Sequence, residues 1–280
     1  MIDISVIVPT YRREREVVLA IESALAQKAV SLEVIVLDDT QEGSARIAVE
    51  AIKDARVRYV KREIPSRGVP AIVRNDGARL ARGTFLHFLD DDDRLVEGAL
   101  AALVGACERT GAGVAFGYVV PFGDNEEVLA RQQRYFQKAR DSAKKRITRF
   151  DITANLLFRE TLLVNSVCIV RRECFDKVGG YDPAVLRCED VDFYLRAIRS
   201  CGFAYVDRPV LEYRTGASSL MHDLEDNSKI VDSYRVIHSK YRAAHGAGEF
   251  YALKAFARIP SLVRARLAVD RPAGGSSTPS

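Results

Sequence analysis

The stretch Thr84-Phe-Leu-His-Phe-Leu-Asp-Asp-Asp-Asp93 decides the fold of this chain. The apolar run that follows Gly83 predicts a buried β-strand, and four consecutive carboxylates stand where that strand ends. Carboxylate oxygens are the ligands that Mg²⁺ or Mn²⁺ prefers, particularly beside phosphate oxygens. Because Asp is also a good helix N-cap, a solvated acidic turn before a helix that starts near Leu95 remains an alternative.

The first 90 residues alternate between apolar strands and amphipathic helices. The pattern predicts strands at 4–8, 32–37, 57–60 and 84–89, and helices at about 17–27, 45–52 and 70–80. Continuously apolar strands separated by helices indicate an α/β fold with a parallel sheet covered on both faces. Ligands bind such sheets outside the carboxyl ends of the strands, and polar residues follow three of these ends. These residues are Thr10-Tyr11, Asp38-Asp39 and Asp90 to Asp93.

The second half is less regular. It predicts strands at 114–120, 165–170, 203–206 and 210–213, the last two on either side of Pro209. A basic, mostly helical segment is expected at 126–147, a helix at 189–201 and further helix from about 223. We therefore expect one domain over 1–220, a helical extension over 221–270 and a disordered tail over 271–280.

Composition narrows the class of protein. The chain has 280 residues, 48% hydrophobic and 29% charged, with a net charge of +4, which is typical of a globular protein. Five cysteines without a CxxC pair indicate reduced thiols rather than a zinc site or a disulfide framework. No G-x-G-x-x-G and no P-loop motif is present, so a dinucleotide-binding or P-loop protein is not expected. A nucleic-acid partner is not expected either.

Six segments in order resemble the family 2 glycosyltransferases, which have the GT-A fold. The segments are Ser5-Val-Ile-Val-Pro-Thr-Tyr, Glu33-Val-Ile-Val-Leu-Asp-Asp, Ala71-Ile-Val-Arg-Asn-Asp-Gly, Phe88-Leu-Asp-Asp-Asp-Asp, Val178-Gly-Gly-Tyr-Asp and Cys188-Glu-Asp-Val-Asp-Phe-Tyr-Leu-Arg. The resemblance implies a nucleotide-sugar-binding half over 1–110 and an acceptor and catalytic half over 111–220. It implies an inverting, hexosyltransferase-type enzyme that uses a nucleotide-sugar donor, most often a UDP-sugar, with Mn²⁺ or Mg²⁺.

The resemblance also implies roles for individual residues. Asp39 would hydrogen-bond the nucleobase, and Asp190 would be the general base. Asp92 matches the direct metal ligand; Asp93 is an alternative ligand because the register of the four aspartates is ambiguous, and His222 is a third, weaker candidate. The remaining donor-binding residues would be Pro9, Thr10, Tyr11, Arg74, Asn75, Asp90, Asp91 and Glu189.

Each assignment has a structural alternative. Arg74 and Asn75 suit an exposed helix surface equally well, and Glu189-Asp190 could simply complement a helix dipole. Asp38 is expected only to support its turn. Asp91 stands where a small residue is common in the family, which adds negative charge near the metal.

The acceptor is less defined. The chain has no Trp, hence no Q-x-x-R-W segment, and no apolar run of the ~20 residues that span a bilayer, so we expect a non-processive enzyme. The acceptor is expected to be a carbohydrate, a lipid-linked glycan or another hydroxyl compound in bacterial polysaccharide or glycoconjugate biosynthesis. The location expected is the cytoplasm, with peripheral association at the inner face of the membrane through the basic segments.

Other classes remain in view. A catalytically inactive relative would bind a sugar nucleotide or a partner as a scaffold. A nucleotidyltransferase would need a glycine-rich loop after the first strand, where Pro9-Thr10-Tyr11-Arg12 has none. An aspartate-dependent phosphohydrolase would need Asp in place of Thr10.

Overall fold

The computed structural model describes residues 2–144, 148–159, 162–216 and 227–259. The strands are β1 (Ile4–Thr10), β2 (Leu32–Asp38), β3 (Val57–Lys61), β4 (Phe85–Phe88), β5 (Arg94–Leu95), β6 (Val114–Phe122), β7 (Cys168–Arg171) and β8 (Phe203–Arg214). The helices are α1 (Glu16–Leu25), α2 (Arg46–Glu50), α3 (Pro70–Leu80), α4 (Ala99–Thr110), α5 (Glu126–Lys144), α6 (Arg149–Phe158), α7 (Arg172–Val178), α8 (Glu189–Cys201), α9 (Asn227–His245) and α10 (Ala247–Ala257).

The strands form one mostly parallel sheet in the order β3-β2-β1-β4-β7-β6-β8-β5. The pairing of β1 with β2 runs in register from Ile4 and Leu32 to Thr10 and Asp38. β4 lies parallel to β1 on the other side. The three polar strand ends predicted from the sequence therefore meet at one edge of the sheet.

Helix α3 packs unusually closely on this sheet. A Cβ on Gly77 would stand 2.4 Å from Cγ2 of Ile7 and 3.1 Å from Cδ2 of Leu37. Real Cβ atoms essentially never come so close, so only glycine permits this approach. The contact fixes α3 against β1 and β2, with Arg74 and Asn75 about one helical turn before Gly77.

The second half departs from a simple alternation of strands and helices. β7 is inserted between β4 and β6 and is antiparallel to both, whereas β6 and β8 are parallel. This order brings residues from the second half beside the acidic end of β4. Such pairing over long sequence distances leaves no local signature.

Several predicted boundaries in this half were wrong. The helix expected near Leu95 begins at Ala99, because Arg94–Leu95 instead pairs with β8. Asn165–Val167 forms a 3₁₀ turn, so that strand starts only at Cys168. The two strands expected around Pro209 are the single strand β8, and a register shift opposite Tyr118 accommodates the proline.

The C-terminal helices pack on α6 and are tied by ion pairs to the loop before α8 and to α8 itself. Lys240 of α9 contacts Asp182 at 2.8 Å and Asp192 of α8 at 2.7 Å, and Asp192 is buried. No helix within the described residues is long and apolar enough to cross a bilayer. His222 and the tail predicted at 271–280 lie outside the described residues.

Candidate active site

An acidic cluster, Asp90 to Asp93, sits at the carboxyl end of β4. The Thr10 hydroxyl donates a 2.8 Å hydrogen bond to Asp91, which joins the cluster to the end of β1. Nη1 of Arg13 lies 2.9 Å from Asp91 and 2.6 Å from Asp92. Arg13 therefore neutralises part of the charge that four adjacent carboxylates create.

Burial and mutual repulsion oppose full ionisation of the cluster despite this arginine. Burial raises the pKa of Asp91 to about 7, with Arg13 opposing the rise. Burial and the charge of Asp92 hold the pKa of Asp93 well above its usual range. Asp93 is 1% exposed; one of its oxygens accepts a 3.0 Å bond from the Arg214 amide, and buried Oδ2 has no partner among the described residues. An unpaired buried carboxylate oxygen beside other carboxylates suits a cation.

The two aspartates at the end of β2, Asp38 and Asp39, have different partners. Asp38 is fully buried and accepts hydrogen bonds from Thr40, the Ala45 amide and the Tyr59 hydroxyl, so it supports the turn. Asp39 is also buried, but its partners come from the segment after β3.

The Asp39 carboxylate has one acceptor position left. Its Oδ1 accepts from Arg62 and from the Ser66 amide, and its Oδ2 accepts from the Ser66 hydroxyl. A carboxylate offers about four lone-pair positions, so one further donor can bind at Oδ2.

Arg74 connects two parts of the site. Its guanidinium contacts Asp90 at 2.7 Å and also pairs closely with Glu189 at the start of α8. The side chain is buried, so the alternative of an exposed helix surface is wrong for this residue. Although burial opposes it, the charges of Asp90 and Glu189 raise the pKa of Arg74.

Asn75 supports the backbone near Arg74. Its side-chain amide donates to the Tyr181 carbonyl at 2.8 Å and accepts from the Tyr181 amide at 2.9 Å. This pair of bonds ties α3 to the loop between α7 and α8.

Asp190 lies in the first turn of α8, one residue after Glu189. Cys188, just before the helix, has a left-handed φ of 55°, which turns the chain sharply into it. The Asp190 side chain is half-buried, and its Oδ1 accepts from the Val191 amide at 2.8 Å. Burial and the neighbouring Glu189 charge raise the pKa of Asp190 to about 7. A carboxyl group with such a pKa exchanges protons near neutrality.

Tyr11 and Pro9 line the open side of the β1 end. The Tyr11 side chain is 55% exposed, and the guanidinium carbon of Arg12 lies 5.3 Å from the centre of its ring. Pro9 is half-buried beside it.

The chain was compared with known proteins. The family model described as "Glycosyl transferase family 2" matches residues 5–179, which is more than half of the chain. The chain belongs to glycosyltransferase family 2. This confirms the resemblance drawn from the six motifs.

One curated relative of this glycosyltransferase is the succinoglycan biosynthesis protein ExoO of Rhizobium meliloti. It is 32% identical over 161 residues, which make up 56% of this chain but only 44% of the relative. The match therefore leaves more than half of that protein unaligned.

Solved structures confirm the GT-A fold. The S. aureus TarS 1-349 complex with UDP-GlcNAc matches with a TM-score of 0.66 and 18% identity, covering 89% of this chain and 69% of that one. The mannosyltransferase PcManGT from Pyrobaculum calidifontis, in complex with GDP-Man and Mn²⁺, matches with a TM-score of 0.63 and 19% identity. That match covers 98% of this chain and 76% of the other.

Sequence reasoning missed several residues of the candidate site. Arg13 and Arg62 pair with the acidic strand ends, and Ser66 binds Asp39, but none of them belongs to the motifs considered. An arginine within three residues of Thr10 was a usable signal for Arg13. Arg62 and Ser66 lie in a loop whose course the sequence does not indicate.

Proposed function

We propose that this chain is an inverting glycosyltransferase that moves one sugar from a nucleotide-diphosphate donor, a UDP-sugar, to an acceptor hydroxyl. The observation that carries the proposal is the single guanidinium of Arg74 between Asp90 of the strand-end cluster and Glu189, the neighbour of Asp190. Arg74 thus connects the acidic cluster at the end of β4 to the turn that carries Asp190, a carboxyl group with a pKa of about 7.

Asp190 acts as the general base. Its carboxylate takes the proton of the acceptor hydroxyl while the acceptor oxygen bonds to the anomeric carbon of the sugar. The bond from that carbon to the diphosphate breaks with its electron pair, and the nucleoside diphosphate leaves. Because this is one direct displacement, the anomeric configuration inverts.

The donor nucleotide binds at the ends of β1 and β2. The exposed Tyr11 ring offers a stacking surface for the base, and the remaining acceptor position on Asp39 suits the ring N–H of uracil. Guanine carries a comparable ring N–H, so GDP-sugars are the natural competitors to test.

Asp92 and Asp93 are the residues that would hold a divalent metal, Mn²⁺ or Mg²⁺. The unpartnered Oδ2 of Asp93 fits this role, and a cation would relieve the burial and repulsion that raise the pKa of Asp93. Among the described residues no three or more ligating side chains are grouped so that they could hold a metal ion together, so donor oxygens and water would complete the coordination. The bound metal would neutralise charge on the leaving diphosphate. Arg13 holds Asp92 in this structure and would have to release it.

The proposed acceptor is a carbohydrate in bacterial polysaccharide assembly, a role that the name of the ExoO relative supports. The outer face of α5 exposes Arg131, Arg134 and Lys138, so we extend the proposal to peripheral binding of an anionic membrane. Co-sedimentation with phosphatidylglycerol vesicles tests that extension, and no binding at low salt would remove it.

A thermal-shift panel of UDP, GDP and their sugar conjugates tests the donor site, with and without Mn²⁺. We expect one nucleotide to raise the melting temperature of the wild type in a Mn²⁺-dependent way, and Asp92→Ala to lose the Mn²⁺ dependence. Glu173→Gln, an exposed change on α7, is the control. If no nucleotide shifts the wild type, the donor site is refuted and the inactive scaffold is favoured.

A further inference from the structure

Three tyrosines outside the family motifs lie near one another on three different elements, and two of them are within electrostatic range of Asp190. They are Tyr135 of α5, Tyr213 of β8 and Tyr234 of α9, and each is partly exposed. In the sequence they are separated by more than 20 residues at each step, so only the fold brings them together.

Tyr213 lies beside the acidic cluster. The next residue, Arg214, donates its amide to Asp93 at 3.0 Å, which fixes this end of β8 against the four aspartates. The Tyr213 ring packs against Phe136 with 5.4 Å between ring centres, and Phe136 lies 5.1 Å from the ring of Tyr135. Phe136 thus holds two of the three rings in place.

Tyr234 follows a residue that is bonded to the loop leading into α8. The hydroxyl of Ser233, the preceding residue, accepts a 3.0 Å bond from the Arg187 amide in the loop that leads into α8. Burial raises the pKa of Tyr234, and the negative charge of Asp190 raises it further. Asp190 likewise adds to the rise in the pKa of Tyr213 that burial and the acidic cluster cause. Both phenols are therefore within electrostatic range of the general base.

From this arrangement we propose that Tyr135, Tyr213 and Tyr234 form the acceptor subsite and that its ligand is a pyranose ring. The inference rests on the proposed function, because it takes Asp190 as the base. A pyranose presents a face of C–H bonds to the electron-rich face of an aromatic ring, while its hydroxyls bond to polar groups around the rim. Neither the Tyr213 nor the Tyr234 hydroxyl has a hydrogen-bond partner among the described residues, so both are available to sugar hydroxyls.

The subsite borders the acidic cluster at Tyr213 but lies apart from the nucleotide end of the donor site. The residues proposed to bind the nucleotide follow β1 and β2 or lie on α3, whereas the tyrosines belong to α5, β8 and α9. A sugar seated on the tyrosines would direct a hydroxyl to Asp190 without displacing the nucleotide. Loss of the tyrosines should therefore weaken acceptor binding and leave donor binding intact.

Saturation-transfer NMR tests this directly, with methyl β-D-glucopyranoside, methyl β-D-galactopyranoside and methyl N-acetyl-β-D-glucosaminide as probes in the presence of UDP and Mn²⁺. Irradiation of tyrosine protons in the wild type should transfer saturation to the C–H protons of at least one glycoside. Tyr234→Ala and Tyr213→Leu should weaken its binding about tenfold, and Tyr234→Phe should retain most of it. Tyr251→Ala, at a 56% exposed position on α10, is the matched control.

The UDP-induced thermal shift separates the two ideas. An unchanged shift in the tyrosine variants shows that they are folded and that the donor site is intact. Under those conditions, unchanged glycoside binding in both variants would overturn the subsite, as would the absence of any glycoside signal in the wild type. If UDP does not raise the melting temperature of the wild type, the proposed donor site is refuted instead.

Discussion

Glu189→Gln should move the pH dependence of catalysis toward acid. The charge of Glu189 is, after burial, the main reason that the pKa of Asp190 is raised to about 7. Removing that charge favours the ionised form of Asp190, which is the form that accepts a proton. It also frees Arg74, whose positive charge acts in the same direction.

The size of the shift follows from simple electrostatics. Two unit charges about 5 Å apart interact by roughly 3 kcal/mol at an effective permittivity near 20. Arg74 already offsets most of the Glu189 charge, because the two groups are paired and buried. About 1 kcal/mol is left, so the acid limb should move down by roughly one pH unit.

The assay is nucleoside diphosphate release from the sugar nucleotide that gives the largest thermal shift, measured between pH 5 and 9. In the wild type the rate should increase with pH, because Asp190 must be ionised, and the midpoint of this increase should lie near pH 7. Glu189→Gln should lower this midpoint, and Arg74→Met should raise it because a positive charge is lost. Glu173→Gln should leave it unchanged.

The opposite signs make the reasoning refutable. If Glu189→Gln and Arg74→Met shift the midpoint in the same direction, the acid side of the pH–rate profile does not reflect the ionisation of Asp190. If neither variant shifts the midpoint while both proteins remain folded, the ionisation of another group determines the pH dependence.

Three further changes test other parts of the structure. Asp190→Asn should lower the turnover rate by about 10²- to 10⁴-fold while the nucleotide thermal shift is retained, and a smaller loss would remove Asp190 as the base. Asp93→Asn removes a carboxylate that is buried beside other carboxylates, so it should raise the melting temperature of the metal-free protein at pH 8. The same change should reduce the thermal shift caused by Mn²⁺, and an unchanged shift would exclude Asp93 as a ligand. Gly77→Ala should destabilise the protein by about 1–3 kcal/mol in urea unfolding, since its Cβ would stand 2.4 Å from Ile7, and an unchanged midpoint would show that α3 packs less closely.

The first half of the fold was predictable because its signals are local. Apolar runs and helical spacing gave β1, β2, β4 and α3 nearly residue by residue, and α8 matches its predicted range, 189–201. The rule for parallel sheets then placed three polar strand ends at one edge. Family membership followed from the order of the motifs.

The rest depends on contacts that no local pattern encodes. The insertion of β7 between β4 and β6 and the two-residue strand β5 depend on partners distant in sequence. For the same reason Arg13 and Arg62 were missed as partners of the acidic residues, and Tyr213 and Tyr234 as residues within electrostatic range of Asp190. The predicted roles of the individual site residues and the division into domains stay predictions.

The anomeric configuration of the product tests the central claim most directly. NMR of the glycoside formed from an α-linked sugar nucleotide, recorded early in the reaction, measures the coupling constant at the new anomeric centre. Direct displacement with Asp190 as base predicts a β-linked product. An α-linked product would contradict the account, because retention requires a mechanism for which these residues are not arranged.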